Sequence, residues 1–293
     1  MPPRIATARR LVLDAERRFK RARLHFGHGT DNARDEAVFL VFHALELPFD
    51  VDDATLDRAL TADAAARVET LIAERIATRR PAAYLTGRMW FAGHEFRVDE
   101  HVLIPRSPIG ELIGERFAPW IDPAHVQRVL DVGTGSGCIA IATALALPHC
   151  TVDATDVSAA ALAVARDNAL RLGVAERVRF QLADIFPEAG GPWDLVLANP
   201  PYVPQAEYEE LPEEYLREPA AALVAGEDGL DVVRRLLAGL PARMSADAVL
   251  VMDTGATSDA LAAAFPQLPF TWVELEHGGD GISVLTKREL TGG

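Results

Sequence analysis

The sequence predicts an α/β protein: a mainly parallel seven-stranded sheet preceded by a small helical domain. Three observations carry this. From about residue 104 onward, β-like apolar runs alternate with Ala- and Leu-rich helical stretches, the pattern of a parallel sheet covered on both faces. The last two runs are joined only by Glu276 to Asp280, too short for a crossover helix, so they pair antiparallel. Before residue 86 the periodicity is helical alone.

Taken in order, residues 5–25 are Arg-rich, with Leu11, Ala15, Phe19 and Ala22 at helical spacing. Gly27-His28-Gly29-Thr30-Asp31-Asn32 reads as a loop ending in a helix cap. The next helix sets Ala37, Val38, Leu40, Val41, Ala44 and Leu45 on a wide apolar stripe and stops before Pro48. Another runs from Thr61 to Arg79, halted by Pro81. A helical domain over 1–85 is expected. Residues 88–99 (RMWFAGHEFRVD) alternate and are aromatic, which predicts a hairpin within a linker at 86–103. In the domain expected over 104–293, strands are predicted at 128–132, 151–155, 177–182, 193–198, 247–252, 270–275 and 281–286. The helices between most of them fall at 138–147, 158–172, 229–243 and 257–265.

Composition sets limits. Of 293 residues 49% are hydrophobic and 25% charged, which fits a folded chain of about two domains. No apolar run reaches about 18 residues, so no membrane span is expected. The first nineteen residues hold no apolar core of a secretory leader, and a cytoplasmic protein is the expectation. Cys138 and Cys150 supply neither a disulfide framework nor zinc spacing, and no metal is expected. The eight histidines include no H-E-x-x-H pair, and His28, His94 and His277 show no ligand spacing. G-x-S-x-G and P-loop motifs are absent from the sequence.

The net charge of −14 is uneven. Residues 1–87 hold 14 Lys+Arg and 13 Asp+Glu; residues 88–293 hold 15 and 30. Within the first part, residues 1–23 carry +6, which suits a solvated face or a weak RNA contact. The acidity of the second part argues against DNA as partner. Glu207, Glu209, Glu210, Glu213, Glu214 and Glu218 crowd residues 201–218, an acidic rim that would steer a basic partner.

Two motifs carry chemistry. In Leu130-Asp131-Val132-Gly133-Thr134-Gly135-Ser136-Gly137 a strand runs through a glycine loop into a helix. Dinucleotide enzymes use G-x-G-x-x-G; here the third glycine position of that pattern is Cys138. Asp131 before the loop suits a ligand bearing an ammonium group better than a pyrophosphate. Asp156 ends the second strand, where a carboxylate accepts from ribose hydroxyls; capping the helix near Ser158 is the competing role. For Asp184 a contact to an adenine amino group and a turn before Pro187 are both open, with Ile185 and Phe186 as candidate apolar walls.

The second motif is Asn199-Pro200-Pro201-Tyr202, at the carboxyl end of the strand at 193–198. Pro201 holds Pro200 extended, and Pro200 has a fixed φ, so its carbonyl keeps one direction. With the Asn199 side chain this makes two acceptors for the two N–H bonds of a planar –NH2 group, and Tyr202 can stack on it. Orientation and charge stabilisation are what a weakly nucleophilic amide nitrogen needs.

With LDVGTGSG, TDVS and NPPY in this order, the chain resembles the S-adenosylmethionine-dependent protein glutamine methyltransferases, which have a class I, Rossmann-like sheet. FGHGTDN, AAYLTGRMWFAGHEFRVDEHVLIPRSPIGE over 82–111 and EHGGDGISVLTK resemble the branch acting on large-subunit ribosomal protein L-three. The resemblance covers nearly the whole chain. It implies that Gly133, Thr134, Gly135, Ser136, Gly137, Asp156 and Asn199 contact S-adenosylmethionine. It further implies that Asn199 to Tyr202 hold the substrate glutamine. The helical domain would recognise a basic ribosomal protein, free or in an assembling particle. Asp253-Thr254-Gly255 departs from the family's more frequent Glu-x-Gly. Arg106 and Glu111 lie in the branch-specific segment, where substrate contact or pairing with each other are both open and pairing is preferred. A release factor as substrate is the near alternative. An NAD-linked oxidoreductase, sharing the glycine loop and Asp156, is the distant one.

Overall fold

The computed structural model describes residues 6–276 and 278–292. The start of the Arg-rich stretch and His277 lie outside them. The chain divides into two compact units: one holds the chain up to Arg88 together with Pro212–Arg217, the other holds the rest.

The first unit contains α1 (Ala8–Ala22), α2 (Ala33–Leu45), α3 (Asp53–Leu56), α4 (Ala62–Thr78) and α5 (Ala82–Thr86). Thr7 caps α1 by accepting from the Arg10 N–H, and Asn32 caps α2 by accepting from Arg34 and Asp35, as its position after the loop predicts. The buried face of α1 is Ala8, Val12, Ala15 and Phe19, so Val12 rather than Leu11 points inward. Arg75 is fully buried: Nε donates to Glu36 at 2.7 Å and Nη2 to the His25 carbonyl at 3.1 Å. Burial pushes the Glu36 carboxyl up, against the pull of Arg75.

The inserted Pro212–Arg217 belongs to this cluster. Glu214 is 1% exposed and accepts from the His25 N–H at 3.0 Å and from Arg79 at 2.9 Å. Tyr215 seats on the 26–30 loop, its ring 4.2 Å from that of His28. Gly27, at φ +120°, is needed there, because a Cβ would stand 2.8 Å from the Tyr215 hydroxyl.

In the second unit, save for Arg88 that ends the first, β1 (Arg88–Phe91) and β2 (His94–Arg97) form the expected hairpin, followed by α6 (Ile109–Gly114). The main sheet is built from β3 (Arg128–Val132), β4 (Thr151–Asp156), β5 (Val178–Leu182), β6 (Trp193–Ala198), β7 (Met244–Asp253), β8 (Thr271–Trp272) and β9 (Ile282–Thr286). Between them lie α7 (Cys138–Ala146), α8 (Ala159–Arg171), α9 (Gln205–Tyr208), α10 (Asp231–Gly239) and α11 (Ser258–Ala264); α12 (Lys287–Thr291) follows β9.

The sheet order is β5-β4-β3-β6-β7-β9-β8. Strands β3 to β7 pair parallel, and β9 is antiparallel to both neighbours, inserted between β7 and β8. Alternate residues feed two cores. Val129, Leu195, Leu197, Val249 and Val251 face one, with α7; Leu130, Val132, Val196, Leu250 and Met252 face the other, with α10. The run predicted as a strand at 270–275 is strand only at Thr271–Trp272. It is an edge, where only Thr271 and Trp272 pair with β9. The helix predicted over 229–243 is α only to Gly239, because Pro241 opens a separate 3-10 turn.

The chain winds from β3 outward through β4 and β5, then returns to the other side with β6. The point of reversal lies between β3 and β6, where open sheets bind ligands beyond the carboxyl ends.

Candidate active site

Both motifs stand at that reversal. Val132 pairs with Ala198 in the sheet, so Gly133 and Asn199 leave adjacent strands side by side. A Cβ on Gly133 would lie 4.0 Å from the Asn199 carbonyl oxygen. The glycine loop is held by its own backbone. Gly133 and Thr134 donate to the Thr155 carbonyl, each at 2.9 Å, and Gly137 donates to Thr134 at 2.8 Å. Gly133, Gly135 and Gly137 all have positive φ; at Gly137 a Cβ would also strike Ile141 at 2.9 Å.

Asp156 does not cap α8, and among the described residues it makes no ion pair. Ser158 caps α8, and Asp156 accepts from the Gly135 and Ser158 N–H groups, each at 2.8 Å. Each carboxylate oxygen keeps a second lone pair for hydroxyls.

A cavity of about 240 Å³ opens above these strand ends. Gly133, Thr134, Gly135, Ser136, Asp156, Asp184, Ile185, Asn199 and Pro201 line it. Asp131 does not. Its carboxylate is 1% exposed beneath the loop, where Oδ2 accepts from the Thr134 hydroxyl at 2.6 Å. Burial pushes it up to about 7, with the negative charge of Asp156 adding a smaller push and Thr134 working against both. Among the described residues its other oxygen has no hydrogen bond of good geometry.

Asp184 lines the cavity and also pairs with Arg235, while its carbonyl accepts from the Phe186 N–H in a turn. Ile185 is held at φ +70° by the Thr155 hydroxyl, which donates to its carbonyl at 2.7 Å. Phe186 turns away from the cavity, against Gly239 and under the Arg243 guanidinium.

Fixed φ and close packing shape the Asn-Pro-Pro-Tyr segment. Pro200 is buried between Asn199 and Pro201. Among the described residues neither the Asn199 side chain nor the Pro200 carbonyl takes part in a hydrogen bond. Two glycines make room for Tyr202. A Cβ on Gly229 would stand 2.2 Å from its carbonyl oxygen, and one on Gly255 2.7 Å from its ring.

Several supporting residues carry no mark in the sequence. Asn168 on α8 is fully buried and donates to the Ser136 carbonyl at 3.0 Å and the Arg97 carbonyl at 2.9 Å, tying hairpin to loop. Arg106 is paired with Glu218 rather than with Glu111; Glu111 accepts from the Glu276 N–H at 2.6 Å. Asp253 is buried and accepts from the Ser107 hydroxyl at 2.7 Å, and burial raises its proton affinity. The expected acidic rim is thinner than the sequence suggests. Glu214 and Glu218 are buried in ion pairs, while Glu207, Glu209, Glu210 and Glu213 remain exposed.

The residues at hand fit S-adenosylmethionine. The loop glycines let a ligand lie close, and Asp156 faces the cavity with acceptor capacity. Asp131, buried beneath the loop, pairs with no cation among the described residues, and a ligand ammonium group beside it would favour its ionised form. Among the described residues no His, Cys, Asp and Glu cluster suits a metal ion.

A family model for the methyltransferase small domain matches residues 115–246. The chain is 47% identical over 290 residues to a ribosomal protein uL3 glutamine methyltransferase of Bordetella pertussis, covering 98% of this chain and 97% of that one. It is 45% identical to a protein of the same name in Neisseria meningitidis serogroup A, over 98% and 95%. Among solved structures it is similar to the catalytic domain of hMettl16 in complex with an RNA hairpin, with TM-score 0.50 and 16% identity. That match spans 77% of this chain and 81% of the other, and speaks for the fold alone.

Proposed function

This chain belongs to the family of ribosomal protein uL3 glutamine methyltransferases, and we propose that it methylates the side-chain amide nitrogen of a glutamine in uL3. S-Adenosylmethionine, when bound, supplies a methyl group on a positively charged sulfur. Asp156 accepts from the ribose hydroxyls, Gly133 to Gly137 give the backbone its close approach, and Asp131 beneath the loop provides negative charge for the ammonium group. Ile185 is an apolar wall for the adenine, with Asp184 at its edge.

Asn199 and the Pro200 carbonyl grip the two amide N–H bonds, with Pro201 fixing the direction and Tyr202 stacking on the amide plane. The grip aims the nitrogen lone pair at the methyl carbon. Transfer of the methyl group to nitrogen, with the methyl–sulfur bond electrons left on sulfur, would build positive charge on that nitrogen. Both acceptors strengthen their hold on it. The methylated nitrogen then sheds one proton to water, and no general base is required. The observation that carries this reading is the pair of unused acceptors beside the glycine loop.

Exposed Glu207, Glu209 and Glu210 steer a basic ribosomal protein toward the site. The positive charge of the first helix is largely taken up in ion pairs: Arg9 with Asp53 and Asp57, Arg18 with Glu69, Lys20 with Glu16. A strong RNA contact there has little support. The reaction belongs in the cytoplasm, where ribosomes are built. No helix of the described residues is long and apolar enough to cross a membrane.

The test is a labelled-methyl assay with purified protein, offering unmethylated uL3, a release factor and duplex DNA in separate arms. One methyl increment on a uL3 glutamine by mass spectrometry is expected. Label on the release factor or DNA alone would overturn the assignment.

A further inference from the structure

The segment before α6 has no assigned role, yet it reaches both flanks of the Asn-Pro-Pro-Tyr motif. His101 to Ser107 line one wall of the cavity, and Pro219, Ala221 and Ala222 line another. One ionic fork joins the two walls. Arg106 Nη1 donates to Glu218 Oε1 at 2.6 Å and Nη2 to Oε2 at 2.8 Å. The Ile104 N–H adds a third bond to Glu218 at 3.0 Å. The Glu218 side chain is fully buried; that of Arg106 is 22% exposed.

A second arm leaves the next residue. The Ser107 hydroxyl donates to Asp253 Oδ2 at 2.7 Å, and Asp253 Oδ1 accepts from the Gly255 N–H at 3.1 Å. Gly255 is the glycine pressed against the Tyr202 ring. Arg106 thus fixes the wall that follows the motif in the chain, and Ser107 fixes the floor beneath its tyrosine.

A buried ion pair of this kind adds little net stability, since an apolar replacement of equal volume often does as well. What a guanidinium–carboxylate fork does supply is a fixed plane and distance. The glycine loop is held separately, through Thr155, Asp156 and Asn168.

We infer that Arg106 and Ser107 are positioning residues for the amide-holding side of the cavity. The fork sets the gap through which the glutamine side chain enters, and the serine arm sets the Tyr202 ring. The inference rests on the reading that Asn199 to Tyr202 hold the amide.

The experiment compares Arg106→Lys, Ser107→Ala and Ser107→Thr with wild type in the full chain. It measures kcat and KM toward uL3, the Kd for S-adenosylhomocysteine by calorimetry, and the melting temperature. Arg106→Lys keeps the charge and loses the fork. It is expected to lower kcat/KM about tenfold or more while the Kd moves less than about threefold. Ser107→Ala is expected to lower kcat severalfold, and Ser107→Thr, which keeps the hydroxyl, to restore most of it.

A Kd that weakens in step with kcat/KM overturns the proposal, as do variants within twofold of wild type on every kinetic constant. If Arg106→Lys has no melting transition, the Ser107 pair decides by the same criteria. A wild type that binds S-adenosylhomocysteine but methylates no uL3 glutamine takes both readings down. An active wild type with indifferent variants removes only this one.

Discussion

The two walls of the cavity are made rigid by opposite means. In the glycine wall, the N–H groups of Gly133, Thr134, Gly135 and Gly137 are all engaged by Thr155, Asp156 or Thr134. The Asn-Pro-Pro-Tyr wall has two prolines with fixed φ and Tyr202 packed closely on Gly229 and Gly255, and among the described residues its two acceptors take no hydrogen bond. The difference teaches why the prolines are there. A wall that must grip N–H groups cannot use those acceptors to stay rigid, so fixed φ and close packing carry part of that work. A wall that only follows the contour of a ligand is free to lock itself with backbone bonds.

The largest expected effect is on the second wall. Asn199→Ala should lower kcat about a hundred- to a thousandfold, with the Kd for S-adenosylhomocysteine within about threefold of wild type. Near-normal turnover would end the two-acceptor account.

Next comes the charge under the first wall. The folded chain holds a proton on Asp131 between the ordinary value of 3.8 and about 7, which the unfolded chain gives up. Stability from this site is therefore lost as pH rises through that window, and is level above it. The ceiling is about 4 kcal/mol. Urea unfolding of Asp131→Asn from pH 4 to 8 should lack this decline; parallel profiles for the two proteins would show that Asp131 is not held neutral.

Shape is tested by Gly229→Ala, whose Cβ would collide with the Tyr202 carbonyl. It should reduce kcat about tenfold, whereas Gly173→Ala, at a similar φ of +74° but in open space, should cost only about 1 kcal/mol of stability. Equal kinetics for the two variants would mean that Tyr202 is not held sterically.

On the hydrogen-bonded wall, Asp156→Asn should weaken S-adenosylhomocysteine binding about tenfold and leave kcat at saturation nearly unchanged, by calorimetry and steady-state assay. The mirror-image result would merge the two walls into one.

The smallest effect is electrostatic. Glu207, Glu209 and Glu210 changed together to Gln should raise KM for uL3 two- to fivefold at low salt, by about the factor steering allows, and not at high salt. A salt-independent change would point to direct contact.

What was legible in the sequence follows the same division. The strands at 128–132 and 193–198, the glycine loop and the proline pair were readable because each is a local device: alternation, positive φ or fixed φ within a few residues. The Asn32 cap was readable for the same reason. The short β8 was misjudged because its length depends on how far β9 stays beside it. Phe186 was misplaced because a turn at Ile185 sends it to the opposite side of the strand end.

By itself the sequence determined the alternation of strands and helices, the antiparallel pairing of the last two strands and the two motifs, because periodicity and turn chemistry act over short spans. Only the tertiary structure decided that Glu214 belongs to the helical unit, that Arg106 joins Glu218 across 112 residues, and that Asp253 answers to Ser107. In a run of six glutamates the charge is the same at every position. Which of them are buried, and with whom, is set by how distant segments fill space, and no local pattern records that.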